Sequence, residues 1–257
     1  MTTQPPPGSV EVDFISPRHL AGGGDPAWVT VPLHRACGWS HGNDPLMPRV
    51  VLSSPDHHAL LRLEPDPDNR WWTLVHAPGP ARRPAWFASF GARTPVELIA
   101  AVTDALTDPS AQANAPCDPY ERLLRAGWAR NAGGIGSPDG TADIRRLGTA
   151  DSPGAWLVTV KLGVHQPVWQ ARFGDHTPPH LIGAFTSALA DPAPLLRIGY
   201  RNTLPVHDPA LITRRSEAVR ADFAVAALEA RVRALAARRA RPPAPLSPGQ
   251  PARNRRR

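Results

Sequence analysis

The chain has 257 residues, 42% of them hydrophobic, and 32 prolines; it is long enough for one or two packed domains but must break often into loops. Its formal charge is +7, and of 29 basic residues only Lys161 is a lysine, a bias that fits either a GC-rich genome or selection for arginine chemistry. No apolar run approaches the ~20 residues of a membrane span, residues 1–8 lack the basic start and apolar core of a signal peptide, and Cys37 and Cys117 have no metal-type spacing, so a reduced, cytoplasmic protein without membrane contact is expected.

Residues 1–12 are Pro-rich and read as disordered. Residues 13–48 form a lead-in to the first of two repeats. Its run Gly22-Gly23-Gly24 has no Gly-Lys-Ser/Thr after it, so it reads as a flexible turn and not a phosphate loop. Leu33 to Gly38-Trp39 matches Leu123 to Gly127-Trp128 loosely, so each repeat is expected to open with a short helix stopped at glycine.

The repeats are clearest at residues 86–109 and 169–192. At an offset of 83 they agree at 14 of 24 positions, and the same offset aligns Ser54-Pro55-Asp56 with Ser137-Pro138-Asp139 and Arg62 with Arg145. Such an offset marks tandem duplication. Four strands are expected in each copy, near 49–53, 58–64, 71–76 and 85–90, then near 133–137, 141–147, 155–161 and 167–173. The Ser-Pro-Asp turn joins the first two as a hairpin, with Pro at its second position and Asp able to bond its own backbone. Trp86, Ala88 and Phe90 alternate with Phe87 and Ser89, and Trp169, Ala171 and Phe173 with Gln170 and Arg172, so each last strand has one favoured face. Thr94 and Thr177 are placed as helix N-caps with Pro95 and Pro178 at the first helical position, and Thr94 with Glu97 as a capping box. Leu98, Ile99, Val102, Ala105 and Leu106, and likewise Leu181, Ile182, Phe185, Ala188 and Leu189, have the spacing of a helix lying on a sheet.

The expected fold class is α+β: two tandem ββββα repeats (13–110 and 119–195), antiparallel sheets each covered by a helix. Residues 209–241 then read as one long helix, and 242–257 as a disordered, Arg-tipped tail. Val225, Leu228, Val232 and Leu235 step 3, 4, 3, a heptad seam for a partner helix, a second copy or the protein's own body.

The Ser-Pro-Asp turn, the Trp strand and the Trp-x-Ala-x-Phe…Thr-Pro-x-x-Leu-Ile helix start resemble the SPDY domain, a domain of unknown function from high-GC Gram-positive bacteria named for a Ser-Pro-Asp-Tyr tetrapeptide. His57 and Gly140 stand in the fourth position here. The resemblance spans roughly 13–195 and implies no catalytic residue. In topology alone, tandem ββββα units are similar to Whirly-type single-stranded DNA-binding folds.

No catalytic constellation repeats. His57-His58 points to opposite faces of a strand, and Ser54, Asp56 and His57 lie too close in sequence to form a triad; no metal or cofactor is expected. Residues 214–257 hold twelve arginines against three acids, a net +9 that leaves the body at −2. The expected function is therefore non-enzymatic association with nucleic acid, DNA first. Arg214, Arg215, Arg220, Arg231, Arg233, Arg238, Arg239 and Arg241 would contact phosphates, joined by the repeated Arg62 and Arg145, whose other reading is structural pairing. The alternative is a protein-interaction module built on the heptad seam.

Overall fold

The computed structural model describes residues 8–43, 49–64, 70–79, 84–111, 118–148, 154–163, 167–199 and 204–240. The chain opens with β1 (Ser9–Ser16), a single 3-10 turn (Arg18–Leu20) and α1 (Ala27–Cys37). The first repeat runs through β2 (Ser40–Asn43), β3 (Val50–Ser53), β4 (Ala59–Leu63), β5 (Arg70–His76), β6 (Trp86–Gly91) and α2 (Val96–Thr107). The second runs through α3 (Glu121–Arg125), β7 (Ala129–Asn131), β8 (Gly134–Gly136), β9 (Ala142–Leu147), β10 (Ala155–Lys161), β11 (Pro167–Phe173) and α4 (Pro179–Leu189). Then come β12 (Leu195–Ile198), β13 (Thr213–Arg220) and α5 (Phe223–Ala240).

The two expected sheets are one. Ten antiparallel strands lie in the order β2-β3-β4-β5-β6-β11-β10-β9-β8-β7, so the last strands of the repeats pair with each other at the centre. The register there is Ala171 with Phe90, Arg172 with Ser89 and Phe173 with Ala88. Because equivalent residues differ by 83, exchanging the repeats returns the same pairs, and a local two-fold axis passes through the Ser89–Arg172 pair. Each unit also has five strands and not four. The extra ones, β2 (Ser-His-Gly-Asn) and β7 (Ala-Arg-Asn), are the sheet's outer edges. They have no apolar alternation to betray them, and the ladder of the neighbouring strand recruits them.

One face of the sheet builds the core. Trp72, Leu74, Ala88, Phe90, Val158, Val160, Trp169, Ala171 and Phe173 are all buried, together with Leu98, Ile99 and Val102 of α2 and Leu181, Ile182, Phe185 and Leu189 of α4. Alternation in the last strand of each repeat and the helix spacing read Ala88, Phe90, Trp169, Ala171, Phe173 and the helix positions correctly; the buried faces of β5 and β10 come from the structure. Beneath the central pair, Phe90, Phe173 and Phe185 meet with ring centroids 5.3–6.0 Å apart, two pairs edge-to-face and one stacked. The two helices pack on each other above them, and α1 packs against α2 and α5.

The short helices before each repeat are present. Gly38 and Gly127 close them with positive φ of 70° and 86°. The second is a Schellman closure, with Gly127 N–H donating to Leu124 and Trp128 N–H to Leu123. The glycine run is packed rather than flexible. A Cβ on Gly23 would lie 2.7 Å from the Ala92 carbonyl, the Gly23 carbonyl accepts from Val96 N–H at 2.7 Å, and that of Gly22 accepts from Arg197.

The threonine caps are not formed. Pro95 and Pro178 themselves hold the N-cap position with extended ψ, without a side-chain cap, and only Pro179 stands inside a first turn. Thr177 Oγ1 instead donates to the Phe87 carbonyl of the other repeat at 3.0 Å. Its counterpart Thr94 Oγ1 is buried with no partner among the described residues. Glu97 leaves the expected capping box to form a bidentate pair with Arg197, whose side chain is 2% exposed. An apolar cap environment and a buried guanidinium outcompete local capping here.

The ends of the chain depart furthest from expectation. Residues 9–12, expected to be disordered, begin β1, the middle strand of a second sheet ordered β12-β1-β13. The Val10, Val12, Phe14 alternation carried that signal beneath the proline-rich start. The single helix over 209–241 is instead a strand, β13, followed by α5. Arg214 and Arg215 make β13 possible: one pairs with the buried Asp13 at 2.9 Å, the other stacks on Phe14 at 4.9 Å, and cross-strand pairs override helix propensity. The tail 242–257, residues 1–7 and Cys117 lie outside the described residues. Among the described residues no helix is long and apolar enough to cross a membrane.

The unequal threonines give a direct test. Thr94→Val should be neutral or stabilising because it removes an unsatisfied hydroxyl, whereas Thr177→Val should cost about 1 kcal/mol. Denaturant midpoints of the two variants check the difference.

Candidate functional site

The C-terminal arginines are largely committed to the fold. Arg214 and Arg215 hold β13 to β1 as described, and Arg215 also approaches Glu217 at 3.7 Å. Arg220 pairs with Asp222 through two bonds of 3.0 and 2.8 Å. Arg231 forks onto Asp104 at 3.0 and 2.7 Å and donates to the Trp28 carbonyl, with its guanidinium 5.3 Å from the Trp28 ring. Arg239 donates to the Ala36 carbonyl at 3.0 Å. Arg233 and Arg238 are exposed with no ion-pair partner among the described residues. Arg241 lies outside those residues. Charge density alone could not separate these fates, because the partners Asp13 and Asp104 are far away in sequence.

The heptad seam divides similarly. Val232 and Leu235 are buried within the chain, on a helix packed against α1, and an Arg35–Glu229 ion pair braces the same contact. Leu228 is half-buried and Val225 is 64% exposed. With Phe223 at 41% and Ile198 at 36% exposure, Val225 rims a groove of about 880 Å³ between α2, β12 and α5.

Arg62 and Arg145 stand on the sheet face opposite the helices. Neither pairs with the Ser-Pro-Asp turn: Arg145 bonds Asp143 at 2.9 Å, and Arg62 is exposed with no ion pair among the described residues. The two lie in a single cross-strand row. Arg62 faces Thr73, Thr73 faces Ser89, Ser89 faces Arg172, Arg172 faces Leu157, and Leu157 faces Arg145. Arg172 is thus a third member, and it sits over the Phe87 ring at 5.6 Å. Strand alternation placed Arg172 on this face, but comparison of the repeats passed over it because its counterpart is Ser89. Trp39, Trp86, Trp128 and Trp169 are all buried, so they are core and not a stacking platform; among the described residues of the ten-stranded sheet, Trp71 and Phe87 are the exposed aromatics, at 39% and 38%.

The Ser-Pro-Asp turns are structural latches. Ser54 Oγ donates to Asp56 at 2.5 Å and accepts from Ala59 N–H at 2.9 Å, and Ser137 does the same with Asp139 and Ala142. Both hydroxyls are committed, and no histidine takes their protons. The fourth position is left-handed in both copies, with φ of 58° at His57 and 70° at Gly140. The second latch has an added guest from the lead-in. His19, buried, has its Nε2 3.1 Å from Asp139 and 2.8 Å from Thr141 Oγ1, and its carbonyl accepts from Trp169 Nε1. Burial pushes the Asp139 carboxyl up, but hydrogen bonds from His19, Ser137 and the Thr141 N–H outweigh it and hold it well below the usual carboxylate range. Among the described residues no three His, Cys, Asp or Glu side chains converge as metal ligands.

Residues 53–112 and 136–195 each match the family model of the SPDY domain, described as a domain of unknown function (DUF317). The chain carries two SPDY domains in tandem. Each match begins at the strand end before the Ser-Pro-Asp turn and runs past the helix, so an SPDY copy here comprises the latch, three strands and the covering helix. The lead-in, including His19 and the glycine run, lies outside both matches. No curated protein and no solved structure matches the chain.

A carboxylate held ionised by its neighbours stabilises the fold above its unfolded pKa and loses that contribution as pH falls through its lower folded value. Asp139→Asn should therefore cost roughly 1–3 kcal/mol at pH 7, and the gap to the wild type should close as the pH is lowered below about 4. Thermal melts of both proteins between pH 7 and 2 check this.

Proposed function

We propose that this SPDY protein is a non-enzymatic, nucleic-acid-associated protein whose basic C-terminal segment contacts phosphates. The observation that carries this reading is the placement of the arginines that the fold leaves uncommitted. After Arg214, Arg220 and Arg231 are neutralised by Asp13, Asp222 and Asp104, Arg233 and Arg238 remain exposed on the second half of α5, next to Arg239. Arg241, Arg253 and Arg255 to Arg257 follow with no acid among them. Positive charge therefore increases toward the C-terminal end of α5 and beyond. Such a segment attracts phosphate by counterion release and positions a protein on nucleic acid without reading its sequence. Arg214 and Arg231 drop out of the phosphate-binding set, because taking them for phosphate would leave the buried carboxylate of Asp13 and the partly buried one of Asp104 unpaired, whereas Arg215 and Arg220 pair only with exposed carboxylates and stay in it.

A second reading follows from the groove rim. Phe223, Val225 and Ile198 expose apolar surface around the groove, at the end of α5 away from the arginines. This favours a protein contact centred on Val225 and Leu228 in place of the whole seam, since Val232 and Leu235 are occupied.

Two measurements separate the readings. In mobility-shift titrations over salt, Arg233→Gln/Arg238→Gln/Arg239→Gln should flatten the salt dependence on duplex DNA by about 0.9 for each phosphate no longer neutralised; a slope equal to the wild type's would remove α5 from the interface. In light scattering, a particle that shrinks to a monomer on Phe223→Asp/Val225→Asp supports the second reading. A monomer both before and after the substitution counts against self-association.

A further inference from the structure

The helix-free face of the ten-stranded sheet has its own pattern. We propose that it is a binding platform for a single-stranded nucleic acid laid across the strands along the Arg62–Arg172–Arg145 row. The inference rests on the nucleic-acid reading above but assigns a different site and a specific ligand form.

The row is the strongest regularity on that face. It crosses six adjacent strands, from β4 to β9, with residues directly opposite one another at every step. At ~4.8 Å between strands, Arg62 and Arg172 stand about 14 Å apart, and Arg172 and Arg145 about 10 Å. The local two-fold axis passes through the Ser89–Arg172 pair, so duplication set Arg62 and Arg145 on opposite sides of it, and the unduplicated Arg172 fills the middle. Between the arginines lie Thr73, Ser89 and Leu157, short or apolar side chains that leave the guanidinium groups proud of the surface. Among the described residues, the one acid bonded to the row is Asp143, on Arg145. A line of cations about 24 Å long fits a linear polyanion, and its length suits the ~4 nucleotides at the lower end of single-strand site sizes.

The aromatics decide between single strand and duplex. Large apolar side chains on a sheet face are normally covered, yet Phe87 is 38% exposed on this face, where no described helix packs, and Trp71, at the irregular start of β5, is 39% exposed. Phe87 lies two residues along β6 from the row's Ser89, with the Arg172 guanidinium already over its ring. Exposed rings beside arginines offer stacking to unpaired bases and cation–π support. A duplex, whose bases are stacked internally, cannot use them.

Fluorescence anisotropy of the full-length protein with a 20-nucleotide oligothymidine and with a 20-base-pair duplex tests the assignment. Arg62→Ala/Arg145→Ala/Arg172→Ala should weaken single-strand binding at least tenfold and flatten its salt slope by about 2, at ~0.7 per phosphate neutralised on single strands. Phe87→Leu keeps apolar cover over Gly174 but removes the stacking face, and should weaken the oligothymidine about fivefold or more while leaving duplex binding unchanged. Circular dichroism melts that match the wild type establish that both variants fold. If the sheet variants bind oligothymidine as the wild type does, and only the α5 triple variant loses affinity, the platform is refuted while the nucleic-acid reading stands. If the wild type binds neither oligonucleotide at low salt, both fail.

Discussion

The pairing of β6 with β11 is the constraint on which the rest of the molecule depends. Two duplicated units could each have formed their own small sheet, leaving four exposed edges. Pairing the final strands removes the edges at β6 and β11 and leaves only β2 and β7 as edges of this sheet, which are short and polar, as edge strands usually are. The join also brings Phe90 of the first unit onto Phe173 and Phe185 of the second, so this aromatic cluster spans the seam. Fully burying a phenylalanine contributes roughly 1.5–3 kcal/mol, and here that stabilisation is shared between the repeats. Separating the units would break the Phe90 contacts.

The seam is symmetric in register but not in its surroundings, and the lead-in and the chain after α4 supply the difference. Thr177 bonds across the seam to Phe87 while Thr94 does not. His19 enters the second latch only. Arg197 reaches from β12 to Glu97 and to the carbonyls of Ala21 and Gly22, pinning the glycine run against the first unit's helix. Arg18 donates to the carbonyls of Ala188 and Ala193 and to Asp191, where α4 ends. Duplication made the scaffold, and residues outside the duplicated spans give its two halves different bonding partners. All of this packing falls on one face, which is why the opposite face keeps its arginines and aromatics in the open.

Local signals carried much of this architecture. Alternation in 86–90 and 169–173 identified the buried face, the Ser-Pro-Asp spacing identified both hairpins, and Gly38 and Gly127 marked where the short helices stop. Relations between distant residues stayed hidden. Nothing near Thr94 shows that Glu97 is claimed by Arg197, a hundred residues on. Nothing near Arg231 shows that Asp104 neutralises it. The arginine-rich run Thr213 to Arg220 reads as helix because its strand-forming partner is at the other end of the chain. The candidate sites suffered in the same way: counting arginines in 214–257 found the charge but not which charges are free, and comparing the repeats found Arg62 and Arg145 but passed over Arg172.

Residue-resolved native-state hydrogen exchange at the seam tests the single-sheet account most directly. If β6 and β11 form the centre of one cooperative sheet, the amides of their paired residues, Ala88 to Phe90 and Ala171 to Phe173, should exchange only through global unfolding, as slowly as any in the molecule. Exchange at these positions as fast as in the edge strands β2 and β7, with β4, β5, β9 and β10 still protected, would mean that the two units are separate bodies, and the account would be wrong.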